Sequence, residues 1–502
     1  VTINSTSIAY TVVANDLTVN GDGSGGAANE SQIRSTIANR LAAAINGNTA
    51  AAVVVTASAS GDQVIITSDN SSSFTIASAA SNGSGYAVSS TAIAVASPGR
   101  TGQEFRNHYA FAALRSDGSV VTWGYPDYGG NSSAVALALN TSSNKITQVF
   151  SNTYSFAALR SDGSVITWGS SDYGGNSSGV SAALNTSSNK VAQIFSTPFA
   201  YAALRSDGSV VTWGFAGYGG DSSAVAVALN DSNNKVTQIF SNYFAFAALR
   251  SDGSVVTWGD DWNGGNSSTV TAGLNTSSNR VIQIFSTMYA FAALRSDGSV
   301  ITWGNNYLGG NSSEVSSALN AGSNKVTQIF SNYGAFAALR RDGSVVTWGD
   351  SSWGGNSSAV SAALNDSSNK VTRIFSTNSA FAALRSDGSV VTWGEPLYGG
   401  NSSAVSTALS DSSNKVTQIF STNTAFAALR SDGSVVTWGD SSGGDSSAVA
   451  TALNTSTNRV TQIFSTGSAF AALRSDGSVV TWGSIQGGDS SAVALALNDS
   501  NN

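Results

Sequence analysis

Apolar residues fall in short runs that return with a period of 45 residues over most of the chain. The phrase FAALRSDGSVVTWG fills residues 111–124 and recurs letter for letter from residues 246, 381, 426 and 470, with near copies from 156, 201, 291 and 336. In each copy Asp-Gly separates two apolar runs, which is the strongest short-range signal of a β-hairpin. Self-similarity at a fixed period is typical of a repeat fold. We therefore predict nine consecutive units, the last two one residue shorter.

The two runs of each hairpin are apolar at successive positions, as in FAAL and SVVTW. This pattern predicts strands that are covered on both faces. A β-rich run such as KVTQIFS, residues 235–241, precedes each hairpin and predicts a third strand. A sheet held between two similar sheets satisfies such strands, which is how propeller blades stack. We accordingly expect the nine tryptophans of the TWG phrase, the first Trp123 and the last Trp482, to lie in the core.

After each hairpin the apolar spacing changes from that of a strand to that of a helix. In GGNSSAVALALN, residues 129–140, Val, Ala and Leu stand four, seven and eight residues after Asn131, which marks the buried face of a short helix. The position of Asn131 holds Asn in six copies and Asp in three, and both residues are good N-caps. Asn-Ser-Ser also matches the N-glycosylation pattern, but the three Asp favour capping. Each unit is thus predicted to be βββ plus a helical segment.

The residues before the array predict a small α+β module over residues 1–97, with the nine-unit array over 98–502. Residues 1–14 read as a strand pair around Asn4-Ser5, residues 29–48 as an amphipathic helix, and the chain around Gly61-Asp62 as a hairpin. Residues 73–79 predict a further strand. Residues 89–102 read as a linker, with Pro98-Gly99 marking the boundary.

Composition narrows the chemistry that the chain can perform. There is no Cys and a single His, His108 in a variable loop, so the usual nucleophile–base pairs and zinc sites lack their residues. The net charge of −7 argues against nucleic acid, and no apolar run is long enough for membrane insertion. We expect no enzymatic activity and no cofactor. Calcium is conceivable at Asp-rich loops, although neither known calcium motif occurs.

The variable residues of the units are predicted to gather at one end of the array. If three strands run up, down and up, the loop after QIFS and the loop after TWG lie together, opposite the nearly constant RSDGS turn. Both loops are rich in aromatic residues, which suit contacts with glycans or proteins. An aromatic residue before Gly-Gly also has the alternative role of packing between blades. The candidate binding residues are Tyr128, Tyr173, Tyr218, Trp262, Tyr307, Trp353 and Tyr398 in the second loop, and Tyr154, Phe199, Phe244, Tyr289 and Tyr333 in the first.

The phrase AALRSDGSVVTWG followed by YGG resembles the repeat of the regulator-of-chromosome-condensation family, over about residues 103–502. The resemblance implies a β-propeller. Here the loop after Tyr-Gly is shorter and a helix replaces the outer strand. The family's nucleotide exchange and chromatin binding do not carry over, because the chain is acidic and no matching interaction loop is present. The repeats also resemble those of large bacterial, notably cyanobacterial, surface proteins. The module at residues 1–97 resembles one in phage tail proteins.

Together these patterns predict a non-enzymatic extracellular protein of a bacterial surface, acting in adhesion or as a filament-forming structural subunit. Its expected partners are further copies of itself, neighbouring surface proteins or glycans. A phage tail fibre or receptor-binding virion protein is the alternative, and a glycan-binding lectin is the second alternative. We favour a closed or near-closed ring of nine blades over an open superhelix. The chain is also expected to be part of a longer polypeptide.

Overall fold

The computed structural model describes residues 106–493 and residue 497, together with five short strands near the start of the chain. The chain divides into two compact parts, Val1–Pro98 and Gly99–Asn502. The predicted helix at 29–48, the linker at 89–102 and the boundary between 97 and 98 lie outside the described residues.

The first part contains the predicted strand pairs. Thr2–Ile3 pairs antiparallel with Thr6–Ser7 around Asn4-Ser5, and with Ile76–Ala77 on its other side. Val55–Ser60 pairs antiparallel with Gln63–Ser68, which confirms the hairpin around Gly61-Asp62.

The second part is an array of antiparallel sheets, one for each unit, numbered one to nine along the chain. Units two to nine each have three strands in sequence order, whereas the described residues of unit one contain two. The first strands are Ile146–Ser151, Val191–Ser196, Val236–Ser241, Val281–Ser286, Val326–Ser331, Val371–Ser376, Val416–Ser421 and Val460–Ser465. The second strands are Ala110–Leu114, Ser155–Arg160, Ala200–Arg205, Ala245–Arg250, Ala290–Arg295, Ala335–Arg340, Ala380–Arg385, Ala425–Arg430 and Ala469–Arg474. The third strands are Val120–Gly124, Val165–Gly169, Val210–Gly214, Val255–Gly259, Val300–Gly304, Val345–Gly349, Val390–Gly394, Val435–Gly439 and Val479–Gly483.

The second and third strands are joined by the predicted Asp-Gly turn. In unit one the Gly118 amide donates to the Arg115 carbonyl, and the Arg115 amide donates to the Ser119 carbonyl, both at 2.9 Å. Gly118 has a φ of +85°, a left-handed conformation that glycine adopts without steric cost. The hairpin register follows, with Phe246 opposite Trp258 in unit four.

Short helical segments follow each third strand. One-turn helices in the second loop are Pro126–Tyr128, Ser171–Tyr173, Ala216–Tyr218, Asp261–Asn263, Asn306–Leu308, Ser351–Gly355, Pro396–Tyr398, Ser441–Gly444 and Ile485–Gly488. The outer segment begins as a 3₁₀ turn at Ser133–Val135, Ser178–Val180, Ser223–Val225, Ser313–Val315, Ser358–Val360, Ser403–Val405, Ser447–Val449 and Ser491–Val493. It continues as an α-helix at Ala136–Leu139, Ser181–Leu184, Ala226–Leu229, Thr271–Leu274, Ser316–Leu319, Ser361–Leu364, Ser406–Leu409 and Ala450–Leu453.

The outer segment has the predicted buried face, and the residue predicted as its N-cap binds the first amide of the segment from one position earlier. The Oδ1 atom of Asn131 accepts a hydrogen bond from the Ser133 amide at 3.0 Å, and Asp221 does the same for Ser223 at 2.8 Å. Leu139 is buried, and Val135 and Ala138 pack against the same core. The N-cap itself is Ser132, which makes no side-chain cap bond. The predicted N-cap is therefore wrong by one residue, and Asn131 orders the turn that leads into the segment.

Each sheet is covered on both faces by its neighbours. In unit four, Phe246, Ala248 and Trp258 pack in one cluster with residues of unit three. Ala245, Ala247 and Leu249 of the same strand pack in another cluster with residues of unit five. Successive side chains of one strand point to opposite faces, so the double-sided apolar pattern is explained by stacking of the units.

Eight of the nine tryptophans lie in the core, as predicted. The eight TWG tryptophans of units two to nine are between 3% and 6% exposed. The prediction is wrong for Trp123, which is 49% exposed, beside Phe111 at 63%. The reason is positional, because in every later unit the preceding unit covers this face.

The described units do not close into a ring. Phe111 and Trp123 of the first unit are 63% and 49% exposed, on the face that the preceding unit covers in every later unit. In a closed ring of nine blades the ninth unit would cover this face. The preference for a closed ring is therefore wrong for the described units.

Candidate functional site

The first and second loops of each unit lie together at one end of the sheet, as predicted. In unit two the Asn152 side-chain nitrogen donates to the Tyr173 carbonyl at 2.6 Å. The Oδ1 atom of Asn152 accepts from the Tyr154 and Ser155 amides at 2.9 and 2.8 Å. A single buried side chain thus shapes the first loop and ties it to the second.

Threonine performs the same task in other units. Thr287 Oγ1 donates to the Leu308 carbonyl at 2.9 Å and accepts from the Ala290 amide at 3.0 Å. The equivalent position is always Asn or Thr, namely Asn107, Asn152, Thr197, Asn242, Thr287, Asn332, Thr377, Thr422 and Thr466. The backbone of the variable loops is therefore held constant while their side chains change.

Backbone hydrogen bonds also connect the first loops of successive units. The Tyr243 amide donates to the Met288 carbonyl at 3.1 Å, and the Met288 amide donates to the Tyr333 carbonyl at 3.0 Å. The series is interrupted at Pro198, which has no N–H to donate to Tyr243. The other links are His108 to Thr153, Thr153 to Pro198, Tyr333 to Asn378, Asn378 to Asn423, and Asn423 to Gly467.

Aromatic side chains of the first loops form a continuous ladder over units one to five. Neighbouring rings have centroids 5.7 to 6.1 Å apart, within the range of favourable aromatic pairs. Tyr109 begins the ladder and was missed by the sequence prediction, although it stands directly before the first residue of its second strand, as the other members do. The ladder is Tyr109, Tyr154, Phe199, Phe244 and Tyr289.

Three second-loop tyrosines fill the spaces between these rings. Tyr173 lies 4.7 Å from Tyr154 and 5.7 Å from Phe199, and Tyr218 lies 5.0 Å from Phe244. Tyr128, Tyr173 and Tyr218 are all half-buried. Packing between units is thus the structural role of these three rings. Phe215 and Tyr125, which sequence reasoning missed, extend the cluster and are 42% and 53% exposed. We call the ladder, these second-loop rings, Trp262 and Tyr307 the aromatic rim.

Trp262 and Tyr307 differ from the other rings because they project into solvent. They are 83% and 84% exposed. In units one to three the aromatic residue directly precedes the left-handed glycine, whereas Trp262 and Tyr307 stand one residue earlier. Asn263 and Leu308 take the packed position instead. The one-residue shift therefore moves the ring from the interior of the rim to its apex.

The backbone around the two projecting rings is ordered by local caps. The Trp262 amide donates to Asp260 Oδ1, and the Tyr307 amide donates to Asn305 Oδ1, both at 3.1 Å. Each ring thus stands on a capped helical turn in place of a free loop tip.

The remaining candidates occupy intermediate positions. Trp353 is half-buried over Gly334, where an added Cβ would lie 2.6 Å from its ring, so Trp353 takes the space of a first-loop side chain. Tyr398 is 36% exposed. Tyr333 is half-buried, and its amide donates to Asn378.

The rim end of the array is acidic. The second loops contain seven carboxylates and no Lys or Arg, namely Asp127, Asp172, Asp260, Asp261, Asp350, Glu395 and Asp440. Burial, with smaller contributions from neighbouring tyrosines, raises the pKa of Tyr154 and of Tyr243. Their phenols stay neutral at physiological pH, so the charge of this end comes from the carboxylates.

Within the described part of the chain, no group of three or more His, Cys, Asp or Glu is placed to hold a metal ion. No helix there has the length and apolar character to cross a membrane.

No protein-family model matches the chain, and no curated protein matches it. Among solved structures it is similar to the ectodomain of the Physcomitrella patens receptor kinase CR4, at 14% identity and a TM-score of 0.31, over 57% of this chain and 70% of that chain. It is similar to yeast RCC1 (Prp20) in complex with Kap60, at 16% identity and a TM-score of 0.30, over 55% and 79% of the two chains. It is also similar to the C-terminal domain of gp131 from bacteriophage phiKZ, at 10% identity and a TM-score of 0.27, over 71% and 95%. Likenesses this distant, with TM-scores of about 0.3, carry no argument about the fold family or the ligands of this chain.

Proposed function

We propose that the chain is a non-enzymatic, extracellular adhesion protein that binds a neutral glycan through the aromatic rim. The observation that carries this proposal is the exposure of Trp262 and Tyr307, at 83% and 84%. They occupy equivalent positions in two adjacent units.

The repeats themselves provide the reference against which this exposure is judged. Units one to three contain the same loop with its aromatic ring packed into the rim, so the fold does not require a projecting ring. Placing Trp and Tyr in water forgoes the stabilisation that burial of an aromatic side chain gives. An exposed pair of this kind is typical of an interaction site.

The chemistry around the rings favours sugars. The faces of pyranose rings present C–H groups that pack on Trp and Tyr, and sugar hydroxyls donate to carboxylates and amides. Asp260, Asp261 and Asn263 flank Trp262 in the sequence, and Asn305 and Asn306 precede Tyr307. The excess of carboxylates disfavours anionic ligands, so we propose a neutral glycan.

Two features support the absence of catalysis. The chain has no Cys and a single His, so the common catalytic pairs cannot be assembled. The aspartates of the hairpin turns have a structural task, since Asp207 Oδ1 accepts from the Ser209 amide at 2.8 Å. The extracellular location rests on a composition that is poor in Lys and rich in Ser, Thr, Asn and Gly, which is common in bacterial secreted and surface proteins. The virion alternative stays a prediction.

The test is a glycan array followed by calorimetry on the bound sugars. We expect Trp262→Ala and Tyr307→Ala each to weaken binding at least about tenfold, as is usual for aromatic hot spots. Leu137→Ala and Val227→Ala are matched controls, because these side chains are 93% and 90% exposed on outer helices. They should leave affinity unchanged.

Two results would contradict the proposal. Absence of glycan binding, or binding that survives both ring substitutions, would remove the rim as a glycan site. Capture of a surface protein that is lost with the same two substitutions would retain the rim as the contact and overturn the glycan as its ligand.

A further inference from the structure

A groove of about 1000 Å³ lies between units five and six, which have described units on both sides. It is lined by the second loop and the outer segment of unit five, and by the third strand and the second loop of unit six. Binding sites for small molecules are clefts of about 300–1,000 Å³. An equivalent groove between units one and two has about 500 Å³. The groove between units five and six therefore has the size of a ligand site.

Two side chains of unit five distinguish this groove from its equivalent. Tyr307 stands where unit one has Asp127, and Glu314 stands where unit one has Ala134. Both line the groove, so the longer side chains extend the wall that unit five contributes. A carboxylate at the position of Glu314 occurs in this unit alone, since the equivalents are Ala134, Gly179, Ala224, Thr269, Ala359, Ala404, Ala448 and Ala492.

Glu314 has no structural task in the repeat. Its side chain is exposed, and within the described part of the chain it forms no hydrogen bond or ion pair. The aspartates of the hairpin turns differ in this respect, because Asp342 Oδ1 accepts from the Ser344 amide at 2.8 Å. Both oxygens of the Glu314 carboxylate can therefore accept hydrogen bonds from a ligand in the groove.

Hydrogen-bond donors of fixed orientation lie in the same groove. Asn311 Oδ1 accepts from the Ser313 amide at 3.0 Å, and Asn356 Oδ1 accepts from the Ser358 amide at 2.9 Å. No described residue accepts from the Nδ2 groups of these two asparagines. Asp350 adds a second carboxylate to the lining. Amide donors next to carboxylate acceptors suit sugar hydroxyls, because a hydroxyl group both donates and accepts.

We propose that this groove holds consecutive sugars of a linear neutral oligosaccharide, and that Glu314 determines its specificity. One sugar packs on the Tyr307 ring, and two adjacent hydroxyls of the chain donate to the Glu314 carboxylate. Trp262 stands at the position of Tyr307 in unit four, so a chain of several sugars can contact both rings. The inference rests on the proposed glycan site and adds to it the length of the ligand and the residue that selects it.

The test is calorimetry on the full chain with linear tetramers of glucose, mannose, galactose and N-acetylglucosamine, and with their monosaccharides. We expect the tetramer that binds best to bind at least about tenfold more tightly than its monosaccharide. Glu314→Ala should weaken binding of that tetramer about tenfold, because it loses hydrogen bonds to a charged group. Glu314→Gln keeps an accepting oxygen and should weaken it only about threefold.

Glu395→Ala is the matched control. It removes the same charge from the second loop of unit seven, outside the groove, and should leave the affinity unchanged. Because Glu314 is exposed and forms no bond to the described residues, thermal unfolding of its two variants should match that of the unsubstituted chain.

The outcomes separate this inference from the proposed function. Equal affinity for tetramer and monosaccharide, or unchanged affinity in Glu314→Ala, would overturn the groove as the site while the two ring substitutions still abolish binding. Absence of binding by every sugar in the series would overturn both proposals. Tighter binding of a glucosamine tetramer than of the N-acetylglucosamine tetramer would show that the groove takes a cationic sugar, and would overturn the neutral ligand.

Discussion

The indole nitrogen of Trp168 donates a hydrogen bond of 3.1 Å to the carbonyl oxygen of Gly129 in the preceding unit. The same bond joins every pair of neighbours up to Trp438, which donates to Gly399 at 3.1 Å. It connects the buried core of one unit to the variable second loop of the unit before it. The second loops of the rim are therefore bonded directly to the buried core.

This bond predicts a difference between two otherwise similar tryptophans. Trp438→Phe removes the indole donor and leaves the Gly399 carbonyl without it, whereas the Trp482 nitrogen has no partner to lose. The two side chains are 6% and 4% exposed, so the lost packing is comparable. We expect Trp438→Phe to lower the free energy of unfolding by about 1–2 kcal/mol more than Trp482→Phe. Urea denaturation of the two variants measures this, and equal losses would contradict it.

The glycine that follows the second-loop aromatic residue is predicted to be irreplaceable. Gly219 has a φ of +102°, and a Cβ there would lie 2.5 Å from the Phe246 ring. Strain and overpacking together should make Gly219→Ala cost about 2–4 kcal/mol. Gly179→Ala is the control, because no atom lies within 4 Å of its added Cβ. Units one and three already have Ala there, and the change should stabilise by up to about 1 kcal/mol. Thermal unfolding of both variants tests the pair.

Asn242, which connects the first and second loops of unit four, should tolerate replacement by Thr but not by Ala. Asn242 donates to the Asn263 carbonyl at 2.5 Å and accepts from the Phe244 and Ala245 amides. We expect Asn242→Ala to cost about 2–4 kcal/mol, since buried partners lose their bonds. Asn242→Thr should cost less than about 1 kcal/mol, because Thr287 forms equivalent bonds in the next unit. Chemical denaturation measures the free energy of unfolding of the two variants. An equal loss in both would show that these hydrogen bonds do not hold the two loops together.

The aspartates of the hairpin turns make the free energy of unfolding depend on pH in the acidic range. Burial alone would raise the pKa of Asp207, but hydrogen bonds from the Ser209 side chain and backbone outweigh it and lower the pKa below the usual 3.8. The same direction holds for the other turn aspartates, including Asp117 and Asp476. A lowered pKa in the folded state means that the unfolded chain binds protons first on acidification. The stabilisation by these aspartates is therefore complete at pH values above the pKa of the unfolded state. It is lost as the pH falls through the pKa of the folded state.

We accordingly expect the urea midpoint to decrease below about pH 4 and to be nearly constant above about pH 5. Asp207→Asn should reduce this slope, because its turn no longer binds a proton. Asp172→Asn changes the charge equally in a second loop and is the control. A midpoint that rises on acidification would contradict the assignment.

The repeat signature predicts most of the fold because each of its residues has a local role. Asp117-Gly118 specifies the turn through a left-handed glycine, and Asn131 accepts from the first amide of the outer segment. The double-sided apolar strands specify stacking. The turn and the start of the outer segment depend on residues that are close in sequence, and the stacking depends on the adjacent unit. The sequence of this chain contains both the local residues and the adjacent units.

The incorrect predictions concern properties that depend on where a unit lies in the array. Trp123 has the same sequence context as the buried tryptophans, and only the lack of a preceding unit exposes it. Closure of the ring depends on a small rotation between units that the sequence of a single repeat does not reveal. The exposure of Trp262 and Tyr307 could have been predicted from the sequence. Both rings stand two residues before the left-handed Gly264 and Gly309, whereas the packed rings stand one residue before their glycine. The prediction treated all aromatic residues before Gly-Gly as equivalent.

Pro198 gives the array an uneven stiffness. Directional backbone bonds fix the orientation of the first loops on either side of it, from His108 to Thr153 and from Tyr243 to Met288. Where Pro198 meets Tyr243, ring contacts such as that between Phe199 and Tyr243, 5.9 Å apart, take the place of that bond. Aromatic contacts tolerate rotation that a hydrogen bond does not. The first-loop series therefore allows more rotation between the third and fourth units, next to the second loop that carries Trp262, than between the units on either side.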